Sequence, residues 1–459
     1  MTATFDAIII GSGQAGPSLA ERLSKSGRKV AIIEREHFGG TCVNNGCVPT
    51  KAMVASAHAA HLARRAAEYG IDIVGSVKVD MKRVMARKDA IVEKSRIGVT
   101  NWMERLEGGK VFRGQARFTG TNTVSVNDEV LSAKEIFINT GGRALVPNIP
   151  GIENIPYLTN ASMMDVNFLP EHLVVIGGSY IGLEFAQAFR RFGSRVTVIE
   201  MTDRLIARED DDVCLAVQEI LEKEGIDVRL GSKNMSFEKR GDSVHISIEA
   251  STGASHVQCS HVLMAVGRKP NTDDLGLDKA GVATDARGFI TVDDQCRTNV
   301  PGIWAMGDVN GRGAFTHTSY NDFEIVAANL LDNDPRKISD RITCYGLFVD
   351  PPLGRVGMTE KEVRAKGINA LVSKRMMTGV GRARERGETQ GFMKVVVDAD
   401  SQKILGAAIL GIGGDEVVHA FLDIMAAGAP YTAISRTMHI HPTVSEYLPT
   451  ILQDLKPLI

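Results

Sequence analysis

The chain has 459 residues, which at roughly 150 per domain suggests about three domains. Its 53 lysines and arginines nearly cancel 55 aspartates and glutamates, leaving a formal charge of -2, and 44% of its residues are hydrophobic. This balance excludes the basic footprint of a nucleic-acid or anionic-membrane binder, and the apolar content excludes a disordered chain. The N-terminus, Met1-Thr2-Ala3-Thr4-Phe5-Asp6, runs into the apolar stretch Ala7–Ile10, which Gly11 ends. It has no basic region followed by a long apolar one, so no signal peptide is expected. No apolar run approaches ~18 residues, so no membrane span is expected. Six cysteines are too few for a secreted disulfide framework, and the expected compartment is cytoplasmic.

Residues 8–34 read IIIGSGQAGPSLAERLSKSGRKVAIIE, and residues 174–200 read VVIGGSYIGLEFAQAFRRFGSRVTVIE. In both, an apolar strand runs into a glycine cluster: Gly11, Ser12, Gly13 and Gly16, then Gly177, Gly178, Ser179 and Gly182. A helix-like stretch follows to a turn glycine, Gly27 or Gly193. A second apolar strand then ends on an acid, Glu34 or Glu200, 23 residues after the first glycine each time. This is the βαβ dinucleotide fingerprint, present twice. The glycines permit a tight turn and bring a pyrophosphate to the helix N-terminus, where free N–H groups and the dipole favour negative charge. The acid accepts hydrogen bonds from the ribose hydroxyls. One such motif is a weak signal; two with matching spacing are a strong one. Ser179 replaces the middle glycine of the second copy with another small residue, which the turn is expected to tolerate. The chain has 46 glycines, about 10% against an average near 7%, and much of that surplus is phosphate-loop and turn chemistry.

Between the two copies lies GGTCVNNGCVPTK, residues 39–51. On one regular helix, Cys42 and Cys47 would lie ~8–9 Å apart on different faces, too far for a disulfide, which wants under ~7 Å. Val43-Asn44-Asn45-Gly46 contains turn formers, so the chain is able to fold back before the next helix begins. Pro49 suits the first turn of that helix. Cys47 is then expected at a helix N-terminus with Lys51 one turn along, and both features favour a thiolate. The plain alternative is two buried cysteines that never meet. Cys214, Cys259, Cys296 and Cys344 stand apart without such context.

Beyond the second fingerprint, 211–224 reads as a helix and VLMAVGRKPN (262–271) as strand-like. Region 341–459 alternates short strands, 394–397 and 404–410, with a helix near 416–427, the pattern of a separate α+β domain. RARERGE (382–388) reads as a solvated loop. His439 and His441 form a His-x-His pair, yet no third or fourth ligand stands at supporting spacing, so no metal site is expected.

The pattern GGTCxNxGCxPTK, directly after a fingerprint and its acid, resembles the pyridine nucleotide–disulfide oxidoreductases. That family includes dihydrolipoamide dehydrogenase, glutathione reductase and mercuric reductase. Further matching segments are Thr140-Gly141-Gly142 with PNIPG (147–151), GRKPN (267–271), IWAMGDV (303–309) and HIHPTVSE (439–446). Thr50, PPLGRVGMTE (351–360) and Gly381–Glu385 look most like the mercuric-reductase type. The vicinal cysteine pair near that type's C-terminus has no counterpart after Cys344. The resemblance spans essentially the whole chain. It implies an α/β fold of two Rossmann-like dinucleotide-binding domains and a C-terminal α+β dimerisation domain. The implied boundaries are 1–145 and 271–340 for FAD, 146–270 for NAD(P) and 341–459 for the interface.

Carried over by position, the resemblance puts FAD against Gly11, Ser12, Gly13, Gly16, Glu34, Gly40, Thr41, Ala116, Thr140, Gly141, Gly142 and Asp308. It puts the pyridine nucleotide on Gly177, Ser179, Gly182 and Glu200, with Gly267 and Arg268 also at the cofactor sites. Tyr180 matches an aromatic gate over the flavin, and Glu184 an acid that pairs with Lys51 beside it. From spacing alone, Tyr180 and Glu184 lie one helical turn apart and are able to face one site. Cys42 and Cys47 match the redox disulfide. His441 and Glu446 match an acid–base dyad that the partner subunit of a homodimer donates; a base titrating near working pH suits thiol–disulfide exchange, whose attacking species is a thiolate. Glu200 would face a 2′-phosphate with like charge, costing up to ~4 kcal/mol, so NADH is expected over NADPH, with Arg204 near enough to soften the preference. The implied function is an FAD-dependent NAD(P)H oxidoreductase of mercuric-reductase-like type. Electrons would pass through the flavin and the Cys42–Cys47 disulfide to a small-molecule disulfide, oxidised sulfur or metal-ion acceptor. Lipoamide, hypothiocyanous acid and Cu(II) are alternative acceptors, and a flavin-bound redox sensor is the alternative of another class.

Overall fold

A computed structural model describes residues 2–250 and 253–458. Each copy of the repeated unit builds the middle of its own five-stranded sheet. The first sheet runs Ile303–Ala305, Glu135–Ile138, Ala7–Ile10, Val30–Glu34, Gly109–Arg113, with every pairing parallel. The second runs Tyr157–Leu158, His261–Met264, His172–Ile176, Arg195–Ile199, Asp227–Arg229, again all parallel. Parallel sheets are covered on both faces, which is why the central strands are rich in Ile, Leu and Val rather than alternating. Ile8, Ile9 and Ile32, like Leu173, Val174 and Val175, have no exposed surface. In each sheet the chain leaves the central strand to one side, while the neighbour on the other side comes from far along the sequence. A crevice therefore opens at the carboxyl ends of the central strands, where open α/β sheets bind ligands.

The helices that follow the glycine loops, Ala15–Lys25 and Tyr180–Phe192, bury Leu19 and Leu23 in one case and Leu183, Phe185 and Phe189 in the other. The chain leaves the first fold through Gly142–Ala144 and returns through Arg268–Pro270, which pair antiparallel. The C-terminal part is a six-stranded, wholly antiparallel sheet whose central strands are Ile404–Leu410 and Phe392–Asp398. Met393, Val395, Ala407 and Ile409 pack there in one core with Phe421 and Leu448 from the helices. The whole is the α/β fold with two Rossmann-like units and an α+β dimerisation domain.

The helix read at 211–224 is Asp211–Lys223. Three other readings need correction. The strand-like 262–271 is two strands, because Gly267 (φ 139°) turns the chain after His261–Met264 and Arg268–Pro270 pairs elsewhere. The helix near 416–427 is two, Gly414–Val417 and His419–Ala426, broken at the buried Val418. RARERGE is solvated, with Arg384, Glu385, Arg386 and Gly387 exposed, but it begins as helix rather than loop. Gly381–Glu385 is a short helix with Ala383 fully buried, and the Tyr69 hydroxyl and Arg65 Nη2 donate to the Arg386 and Gly387 carbonyls at 2.5 and 2.8 Å. Among the described residues no helix is long and apolar enough to cross a membrane.

Candidate active site

A cavity of about 850 Å³ runs from the end of Val30–Glu34 to the cysteine pair, a size at the upper end for small-molecule sites. Its wall at one end is glycine. Gly11 has φ 99°, and a Cβ there would lie 2.4 Å from the Asn139 carbonyl oxygen. A Cβ on Gly16 would lie 2.4 Å from the Gly11 oxygen, and one on Gly40 2.8 Å from Gly13 Cα. Backbone therefore meets backbone with no room for side chains, at the N-terminus of Ala15–Lys25. Glu34 is fixed beside it: Ser12 N and Oγ donate to Oε2 at 3.0 and 2.6 Å, and Glu36 N to Oε1 at 2.8 Å. Asn139 lines the cavity, and its buried Nδ2 has no partner in the protein. Further along, Asp308 accepts from Arg268 Nε at 3.2 Å; burial pushes its carboxyl up against the pull of that guanidinium. Arg268 Nη2 also reaches Thr41 Oγ1 (3.5 Å) and donates to the Gly142 carbonyl. Gly40, Thr41, Ala116, Thr140 and Gly141 line the cavity too, whereas Gly16, Gly142 and Gly267 do not. A fixed acid, a bare backbone cradle, a helix N-terminus and an orphaned N–H fit a dinucleotide whose second half extends toward the cysteines.

Cys42 lies in Gly40–Asn44 and Cys47 opens Cys47–Arg64. The fold-back is thus a break between two helices, and Cys42 is itself helical rather than part of a turn. Gly46 makes the break: a Cβ there would lie 2.7 Å from the Thr41 carbonyl oxygen. The break brings the two thiols into hydrogen-bond contact. Cys47 Sγ also lies 3.1 Å from Thr316 Oγ1, at the first residue of Thr316–Ala327. These contacts polarise the pair. The hydrogen bond from Cys42, with help from Thr316 and Lys51, pulls the Cys47 thiol down to about 6 against the effect of burial. The same hydrogen bond, with burial, pushes Cys42 far up. This favours the anion on Cys47 and the proton on Cys42. Sequence reading missed Thr316; the one signal was a hydroxyl opening a helix just after the glycine-bearing stretch that follows Asp308.

Lys51 Nζ lies 2.7 Å from Glu184 Oε2, and Glu184 Oε1 accepts from Phe348 N at 3.0 Å. The Lys51 ammonium also sits 4.3 Å from the Phe348 ring centroid, a favourable cation–π distance. Glu184, only 6% exposed, therefore ties the cysteine helix to Tyr180–Phe192. Tyr180 opens that second helix, and both residues line the cavity. The face expected from their spacing exists.

The second glycine cradle repeats the first. Gly177 has φ 112°, and a Cβ on it would lie 2.5 Å from the Ala265 carbonyl oxygen; one on Gly182 would lie 2.2 Å from the Gly177 oxygen. Ser179 sits at φ -116°, a backbone any residue adopts, which is why a serine is accepted there. Glu200 is held as Glu34 is, by Gly178 N at 2.6 Å and by Thr202 N and Oγ1 at 2.8 and 2.9 Å. Arg204 is engaged elsewhere: Nε and Nη2 both reach Asp203 at 2.9 Å, and Nη1 pairs with Asp211.

His441 Nδ1 lies 2.7 Å from Glu446 Oε2, so the expected dyad is formed. Its side chain is 80% exposed, and neither residue lines the cavity within one chain. Among the described residues no three His, Cys, Asp or Glu side chains form a metal site, and His439 reaches only the Thr437 carbonyl, at 3.1 Å.

Residues 5–322 match the pyridine nucleotide-disulphide oxidoreductase family, and residues 344–451 match its dimerisation domain. The chain is 35% identical to the probable pyridine nucleotide-disulfide oxidoreductase RclA of Escherichia coli (strain K12), with 98% of this chain and 99% of that one covered. It is 35% identical to a dihydrolipoyl dehydrogenase of Thermus scotoductus (97% and 96% covered) and 33% identical to a mercuric reductase of Streptomyces lividans (97% and 94%). A solved structure, the Cu(II) complex of the HOCl-induced flavoprotein disulfide reductase RclA from Escherichia coli, matches with a TM-score of 0.89 at 34% identity, covering 98% of this chain and all of that one. With both folds matched along nearly its whole length, the chain belongs to the pyridine nucleotide-disulphide oxidoreductases, enzymes that use FAD and NAD(P)H.

Proposed function

We propose that the protein is a homodimeric, NADH-dependent flavoprotein reductase that passes two electrons through Cys42 and Cys47 to a small thiol-reactive acceptor. The observation that carries this reading is the single cavity joining the Glu34 cradle to a thiol pair already polarised into thiolate and thiol. Bound FAD supplies the chemistry of taking two electrons from the pyridine nucleotide and releasing them to the sulfur pair. Glu34 would hold its ribose, Gly11, Gly13 and Gly16 its diphosphate, and Asp308 its ribitol side, in a domain of residues 1–145 and 271–340. Residues 146–270 would take the nucleotide, with Gly177 and Gly182 on the diphosphate and Glu200 on the ribose. Glu200 repels a 2′-phosphate, and Arg204 is engaged by Asp203 and Asp211; both support NADH over NADPH. Tyr180 would gate the flavin, and Lys51 would stand beside it, its charge balanced by Glu184.

Over one turnover, the hydride equivalent of NADH converts the disulfide into one thiol and one thiolate; re-forming the disulfide hands two electrons to the acceptor. Cys47 remains a thiolate through the hydrogen bond from Cys42 and through Thr316 and Lys51. Cys42 is the exchange sulfur, and its tightly held proton needs a base. The exposed His441–Glu446 dyad of residues 341–459 supplies that base to the other subunit, Glu446 orienting the ring. Soft acceptors suit a dithiol: oxidised sulfur compounds, or thiophilic metal ions such as Cu(II) or Hg(II). Two-electron anaerobic reduction by NADH should produce a long-wavelength thiolate-to-flavin absorption band, lost in Cys47→Ser. Retention of the band in that variant would show that Cys47 is not the sulfur against the flavin. A steady-state panel of lipoamide, glutathione disulfide, hypothiocyanite, Cu(II) and Hg(II) then ranks the acceptors; uniformly slow rates would contradict a reductase.

A further inference from the structure

Tyr345 lies in Cys344–Leu347, an edge strand of the C-terminal sheet that reaches into the cavity wall. Its hydroxyl donates to Glu209 Oε1 at 2.7 Å. Its ring stands edge-on to Tyr180, with centroids 5.6 Å apart and planes at 83°. It also stacks on Phe315 at 5.5 Å and 12°, and Phe315 meets Tyr180 edge-on at 5.9 Å. The three rings form a closed triangle with Tyr180 at one corner.

The other two corners are anchored. Phe315 is sandwiched between Tyr345 and His317, the latter at 5.4 Å. Tyr345 is pinned at its tip by Glu209, which has no exposed surface and whose Oε2 accepts from Arg355 Nε at 3.0 Å. Arg355 is itself 1% exposed, so the carboxylate receiving the phenol has no freedom to rotate. Packing alone would be served by phenylalanine. A hydroxyl bonded to a buried carboxylate fixes the ring's orientation as well, through a charge-assisted hydrogen bond.

Resting on the reading of Tyr180 as the flavin gate, we propose that Tyr345 is the gate's positioning residue: the seat against which Tyr180 closes, held in place by Glu209 and Arg355. A ligand that must displace Tyr180 binds with an affinity reduced by the fraction of open gate. Loosening the seat therefore tightens nicotinamide binding, whereas damage to the fold weakens it.

Calorimetry on the FAD-loaded dimer distinguishes these outcomes, using NAD⁺ and, as a probe without nicotinamide, ADP-ribose. Tyr345→Ala is expected to lower the Kd for NAD⁺ by about fivefold, the worth of an edge-on aromatic pair, with ADP-ribose binding unchanged. Tyr345→Phe, which keeps the packing and loses only the Glu209 bond, is expected to give a smaller change of the same sign. Tyr180→Ala should lower the Kd at least as much, and the Tyr180→Ala/Tyr345→Ala double variant should match it, since Tyr345 acts through Tyr180. If Tyr180→Ala has the effect and neither Tyr345 variant does, or if the two add, the seat is wrong while the gate stands. Equal weakening of both ligands by the Tyr345 variants would assign that residue a structural role and overturn the proposal. No difference between ligands in Tyr180→Ala would remove the gate itself, and the proposal with it.

Discussion

At the residue scale, a single proton shared between two sulfurs decides the chemistry. Cys47 is the first residue of its helix, so N–H groups and the dipole already favour its anion. The Cys42 thiol, the Thr316 hydroxyl and the Lys51 ammonium add to this and hold it near 6. In the reduced enzyme, alkylation at Cys47 should accordingly stay fast at neutral pH and fall as pH drops through about 6. Thr316→Val removes a donor to the anion and should move that midpoint upward by about one pH unit. A pH profile of iodoacetamide labelling with mass-spectrometric site assignment reads it; an unmoved midpoint would show that Thr316 contributes nothing. The cysteines, Lys51 and Pro49 were legible because they are neighbours in sequence. Thr316 was not, because its contact is 269 positions away and a threonine at a helix start has many uses.

At the element scale, the two βαβ units were legible down to the acid. Glycine spacing is a backbone requirement, and in both copies the first glycine takes a positive φ, 99° at Gly11 and 112° at Gly177. Gly11→Ala and Gly177→Ala should therefore separate the two cofactors. The first should yield protein lacking most of its FAD by absorbance. The second should keep its FAD and lose NADH binding by about tenfold or more, because a methyl meets a carbonyl oxygen in each. Equal flavin content and nucleotide affinity in both variants would contradict the assignment of the two cradles. The break at Gly267 was missed because the apolar run 262–266 leads directly into it, and only the pairing of Arg268–Pro270 with Gly142–Ala144 marks a second strand. Helix Tyr180–Phe192 shows the other limit of sequence reading. Its Arg191 is buried with Glu224 and Asp350 at 2.7 and 2.6 Å, a cluster no spacing rule announces. Arg191→Met takes the guanidinium from both carboxylates, leaving Asp350 to His58 and Glu224 to Gln187, and should cost about 3 kcal/mol in denaturant unfolding; a loss under about 1 kcal/mol would show the cluster to be dispensable.

At the scale of the whole molecule, the C-terminal domain has two sides in the account. Inward, Phe348, Asp350 and Arg355 tie it to the nucleotide fold. Outward, it presents His441, with Met438 and Ile440 at 95% and 80% exposure on the same loop. The dyad was legible as a motif, but its place was not: one chain forms the His441–Glu446 hydrogen bond and leaves it outside the cavity that holds the cysteines. The dimerisation domain supports the second copy that would complete the site. This is the central claim, and heterodimers test it most directly. Cys47→Ser and His441→Gln homodimers should each be inactive, whereas a purified heterodimer of the two has one intact site and should recover about half of wild-type activity. A heterodimer as inactive as its parents would place each cysteine pair and its histidine on the same chain, and would contradict the account.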